Sequence, residues 1–93
     1  MDKKDLYIEK LNAQLKEWSA SIDVLKARAE KATADLKIGY YKQLEDLKAK
    51  RDTARQKVDG LKTAGGDAWE RMTAAIDESW GDIKAAFDKA KDK

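Results

Sequence analysis

Ninety-three residues, 41% charged and 42% hydrophobic, make one small domain with room for a single modest core. Histidine, cysteine and proline are absent, which excludes disulfides, thiolate chemistry and the usual general base, and removes the residue that forces a chain out of helix. A net charge of +2 is too small to argue for a nucleic-acid partner, and no apolar run approaches the ~18 residues of a membrane span, so the expected setting is cytoplasmic.

Asp2 is placed to cap a first helix, with Asp5 near the positive end of its dipole. From Ile8 an apolar stripe recurs at Leu11, Leu15, Trp18, Ile22, Leu25, Ala29, Ala32 and Leu36, then at Tyr40, Leu44, Leu47, Arg51, Ala54, Val58 and Leu61. The steps average about 3.5 residues, the period of a left-handed coiled-coil seam. They alternate three and four, except for consecutive fours from Ala32 to Leu44, a local skip that relaxes the supercoil or marks a kink. Off the seam, opposite charges stand four apart at Lys26 and Glu30, Lys31 and Asp35, Lys42 and Asp46, and Asp46 and Lys50. Gly39 weakens the helix where the skip falls, yet no second turn-forming residue accompanies it. A single helix over residues 3–63 is therefore expected.

The stop is Lys62-Thr63-Ala64-Gly65-Gly66-Asp67. Gly65 suits a left-handed helix end, with the turn at 64–66, and Asp67 with Glu70 fits a capping box for the next helix. That helix, residues 67–91, repeats the seam with Trp69, Met72, Ile76, Trp80, Ile83, Phe87 and Ala90. Gly81 beside Trp80 suggests a close backbone approach, and residues 89–93 are expected to fray. Residues 37–62 carry net charge +4 and residues 63–93 net −2, which predicts two segments that face each other.

The Gly-Gly turn folds the short helix back on the long one, with Leu44, Leu47, Val58, Leu61, Trp69, Met72, Ile76, Trp80, Ile83 and Phe87 as the hairpin core. A helix of residues 3–63 would run roughly 90 Å, leaving the stripe from Ile8 to Leu36 bare. Two arrangements cover it. Two chains can pair antiparallel, each amino-terminal half lying on the partner's hairpin, with the two-fold axis near Ala32. Alternatively, one chain turns sharply at Gly39 and closes the same three helices, as spectrin-like bundles do. The two are related as a domain swap is. Because a turn at Gly39 is poorly encoded, the homodimer is the expectation.

Catalytic chemistry has little to build on. Ser19, Ser21, Thr53 and Ser79 lack a base, and no Glu-x-x-His element exists for a helical di-metal site. Asp77, Glu78 and Asp82 read as a solvated face, and Gly65-Gly66 follows a helix instead of a phosphate-loop strand. No cofactor, metal or catalytic residue is expected, and the protein reads as a non-enzyme. A basic run of Lys48, Lys50, Arg51, Arg55 and Lys57 lacks interleaved aromatics, so nucleic acid is disfavoured. A lipid or granule surface is the competing partner, through an amphipathic second helix that exposes Trp69, Trp80 and Phe87. Its acidic polar face argues against it.

Tyr7-Ile8-Glu9-Lys10-Leu11, Gln14-Leu15-Lys16-Glu17-Trp18, Tyr40-Tyr41-Lys42-Gln43-Leu44 and Ala64-Gly65-Gly66-Asp67-Ala68-Trp69-Glu70 follow in that order. Together they resemble short bacterial proteins described only as coiled-coil domain-containing, across nearly the whole chain. That resemblance implies a helical fold and no established activity. The sequence thus points to an all-α, non-enzymatic coiled-coil interaction protein that self-associates through the stripe from Ile8 to Leu36; its other protein partner stays unspecified.

Overall fold

In a computed structural model that describes residues 2–91, the chain forms three helices: α1 (Lys3–Lys31), α2 (Ala34–Leu61) and α3 (Gly66–Lys91). Short connections turn each helix back on the one before it, giving an up-down-up bundle. Helix α2 packs against both others, and α1 and α3 meet along a narrower line. The molecule measures 51 × 22 × 19 Å, far short of the roughly 90 Å that an unbroken helix over 3–63 requires.

The all-α bundle architecture therefore stands, while the long helix is two helices. The break falls at Ala32 and Thr33, ahead of the weak point at Gly39, and α2 runs through Gly39 without interruption. Its local chemistry is a helix end meeting a helix start. Arg28 and Lys31 occupy the last turn of α1, Thr33 is the N-cap of α2 and Asp35 lies in its first turn. Each charge complements the adjacent dipole end. The expected Lys31–Asp35 helix pair is lost because the two residues lie on different helices. Of the other expected pairs, Asp46–Lys50 closes at 2.6 Å.

The larger reason for the break is burial. Folding α1 onto α2 and α3 places Leu11, Leu15, Trp18, Ile22, Leu25 and Ala29 in a common core with Leu44, Leu47, Ala54, Val58, Leu61, Ile76, Ile83, Phe87 and Ala90. Burying one large apolar side chain is worth about 1.5–3 kcal/mol, so several of them outweigh the few helical hydrogen bonds a break gives up. From Leu11 to Ala29 the stripe is thus covered within one chain.

At the other connection α2 ends at Leu61, and the left-handed residue is Gly66 (φ 56°), not Gly65. Helix α3 begins there, so Asp67 stands in its first turn instead of capping it. Asp2 does cap α1, accepting a hydrogen bond from Lys4 N–H at 3.4 Å. Helix continues through Lys89 to Lys91, against the expected fraying; Asp92 and Lys93, which share that expectation, lie outside the described residues.

The close approach expected at Gly81 is elsewhere. A Cβ at Gly81 or Gly39 would meet nothing within 4 Å, whereas one at Gly60 would lie 2.6 Å from Met72 Cε. Gly60 is where α3 settles against α2. The expected attraction between a basic α2 and an acidic α3 is not made by ion pairs. Among the described residues the salt bridges, Lys50–Asp46, Arg51–Asp52 and Lys62–Asp59, all lie within α2 and its C-cap. The α2–α3 seam is apolar, with Lys57 Nζ donating to Ser79 Oγ at 3.4 Å.

Candidate functional site

Three places concentrate side chains that do more than fill a helical seam. The first joins α1 to α3 at mid-bundle. Trp18 is 2% exposed, its ring stacked on Phe87 (centroids 5.1 Å apart, interplanar angle 3°) and tilted against Trp80 at 4.7 Å. Aromatic pairs at these separations add about 0.5–1.5 kcal/mol beyond area burial. Phe87 is buried, and Trp80 and Trp69 are half-buried. The aromatics offered to a lipid surface are therefore folded inward, and α3 would have to leave the bundle to present them.

The second place is the end of the rod where α1 and α3 begin. Tyr7 packs edge-on against Trp69 (5.8 Å, 66°), and its hydroxyl donates to Asp77 Oδ1 at 2.9 Å. Lys4 Nζ lies 5.2 Å from the Trp69 ring, within cation–π range. Burial, then the hydrogen bond to Asp77 and its negative charge, push the Tyr7 hydroxyl up to about 12. A phenol held protonated this firmly anchors two helices and is a poor proton donor or acceptor near neutral pH.

The third place is the opposite end, over the first two turns of α2. Leu36 is 59% exposed and Ile38 63%, with Tyr41 exposed beside them. Leu36, Gly39, Tyr40 and Gln43 line a shallow groove there. Leu36 and Tyr40 stand on one side of the helix and Ile38 and Tyr41 on another, with Asp35, Lys37 and Lys42 between them, so apolar side chains reach solvent on two sides. Exposure of Leu36 departs from the stripe on which it was placed. The extended residues Ala32 (ψ 159°) and Thr33 (ψ 161°) rotate α2 relative to α1, so the four-residue step from Ala32 to Leu36 no longer follows one helix face.

Of the remaining stripe, Ile8 and Ala32 are half-buried, and the other residues from Leu11 to Ala29 are core. Among the hairpin residues, Leu44, Leu47, Val58, Leu61, Ile76, Ile83 and Phe87 are buried, while Trp69, Met72 and Trp80 are partly so. Arg51, the charged member of the seam, lies between α1 and α2. Its Nη1 donates to Ser19 Oγ at 3.3 Å, and its Nη2 pairs with Asp52 at 3.0 Å. Lys50, Arg51 and Lys57 of the basic run are half-buried and occupied by such bonds, which spends much of that run on the fold. Among the described residues no group of three or more acidic side chains is spaced to hold a metal ion, and no helix is long and apolar enough to cross a membrane.

Reasoning from the sequence missed the Tyr7–Asp77 bond, the part played by Gly60 and the isolation of Ile38. Nothing local marks the first two, since both depend on which residues of α3 arrive opposite. Ile38 was legible as an apolar residue off the stripe. The geometry defines a class: a closed, antiparallel three-helix bundle with one apolar end. No family model, curated protein or solved structure matches the chain.

Proposed function

We propose that the protein is a non-enzymatic helical interaction protein that self-associates. The observation that carries this reading is the apolar end of α2, where Leu36, Ile38 and Tyr41 stand in water on a chain whose other large apolar residues are mostly packed inside. Covering Leu36 and Ile38 would contribute about 1.5–3 kcal/mol each. A second copy presents the same patch, so a two-fold contact between like ends covers both at once. The side chains that could bear chemistry are instead engaged in the fold: Tyr7 with Asp77, Arg51 with Ser19 and Asp52, and Lys57 with Ser79.

Light scattering over a concentration series tests this. The wild-type mass should rise from the 10.5 kDa of one chain towards twice that value within the micromolar range. Leu36→Glu with Ile38→Glu should hold it at one chain while leaving the helical circular dichroism signal intact, because both side chains are exposed, glutamate is a good helix former and Leu36 lies in the first turn, where an acidic residue is favoured. A wild-type protein that keeps the single-chain mass at high micromolar concentration sinks the proposal.

A further inference from the structure

We infer that the Ala32–Thr33 link is a hinge through which two copies of this chain exchange α1, forming an antiparallel dimer in which residues 3–61 run as one helix. This rests on the self-association proposed above and specifies how the association is made.

Four observations point to the link. Ala32 and Thr33 have φ of −76° and −66°, already helical values, so only their two ψ angles, 159° and 161°, must turn for the helix to close. Neither residue is glycine or proline, and Ala32 is the best helix former there is. The Thr33 side chain makes no capping hydrogen bond, so the break is not locked from its own side. The stripe also keeps coiled-coil spacing straight through the link, from Ala29 to Ala32 and on to Leu36.

The hinge also accounts for the exposed end. Exchange rebuilds the same α1–α2 and α1–α3 contacts between chains, so the core is neither gained nor lost. What changes is the middle of the rod. The last carbonyls of α1 and the first N–H groups of α2, unpartnered at a break, become interior to one helix. The two bundles then meet at their Leu36 ends, which returns Leu36 to the seam and covers it with its counterpart. A closed monomer leaves Leu36 in water; the exchanged dimer covers it. Against this stands the entropy of association, which makes the balance depend on concentration.

Two measurements decide it. Lys16 and Arg55 are exposed and line one shallow cavity between α1 and α2, and the chain has no cysteine of its own. Lys16→Cys with Arg55→Cys can therefore carry two spin labels, with labelled chains diluted in excess unlabelled protein so that only distances within one chain are read. The monomer fraction should give a short distance. The dimer fraction, prepared by refolding at high concentration, should give one on the order of 58 Å, the rise of a continuous helix between the two sites. Thr33→Pro is the second test. The φ of Thr33 suits the proline ring and Ala32 is already extended, as a residue before proline prefers, so the closed chain accepts it. A proline inside the continuous helix is not accepted, and dimerisation should weaken at least ~100-fold. A dimer fraction showing only the short distance, or a Thr33→Pro protein that dimerises as well as wild type, overturns the hinge and leaves self-association standing. A protein that stays monomeric throughout overturns both.

Discussion

Tyr7 links the first turns of α1 to α3 through a hydrogen bond of 2.9 Å to Asp77 and an edge contact with Trp69. Its hydroxyl is pushed from 10.0 to about 12, chiefly by burial and then by Asp77. The folded state thus keeps a proton that the unfolded chain releases near pH 10. That contribution to stability is complete below pH 10 and is lost as pH rises through about 12. An ultraviolet phenolate titration of the native protein should show one component with its midpoint near 12, and Tyr7→Phe should abolish it. A Tyr7→Phe protein that keeps this late component would show that the Asp77 contact is not made in solution.

At the scale of the helices, the four helical glycines divide by what surrounds them. Gly66 has a left-handed backbone that a side chain would strain, and Gly60 faces Met72. Gly39 and Gly81 sit in helices with open space where a Cβ would go. Replacing either by alanine should stabilise the protein by about 0.5–1 kcal/mol, because the helix loses its most flexible residue at no steric cost. The two positions are on different helices, so their effects should add. Chemical denaturation of each single variant and of the pair checks this, and a destabilised Gly81→Ala would mean that another surface packs there. Gly60→Ala combines the same gain with a clash against the movable end of a methionine and should be smaller in either direction.

For the molecule as a whole, Trp18 is the residue through which α1 closes the bundle. It is buried, and it touches two aromatic rings on α3 while lying in the core that α2 completes. Trp18→Ala removes a large side chain from a site with little room to collapse, at a cost of about 3–5 kcal/mol. Domains of this kind hold a total of about 5–15 kcal/mol, so the melting temperature should fall by more than about 10 °C. Trp80→Ala, at a half-buried position, should cost less. Calorimetry on the two variants gives the order, and an equal or smaller loss for Trp18 would place the centre of the core elsewhere.

Periodicity alone determined most of this molecule. The spacing from Leu11 to Ala29 and from Leu44 to Leu61 marks the buried faces of α1 and α2, and the stripe from Ile76 to Ala90 marks that of α3. These were legible because a helix carries its own address: residues three and four apart share a face whatever they pack against. The glycine turn was legible for a similar reason, since backbone conformations with positive φ select glycine locally. What covers the stripe was not local. A helix can continue through Lys31-Ala32-Thr33-Ala34, which the alanines favour, or stop with Thr33 as the N-cap of the next, and no glycine or proline decides between the two. The decision is made by fifteen buried side chains that can find their partners within one chain once it turns. The same lack of local bias is why Leu36 reads as seam in the sequence yet stands in water in the folded chain. Only the tertiary structure, by rotating α2 away from the line of α1, could separate the two.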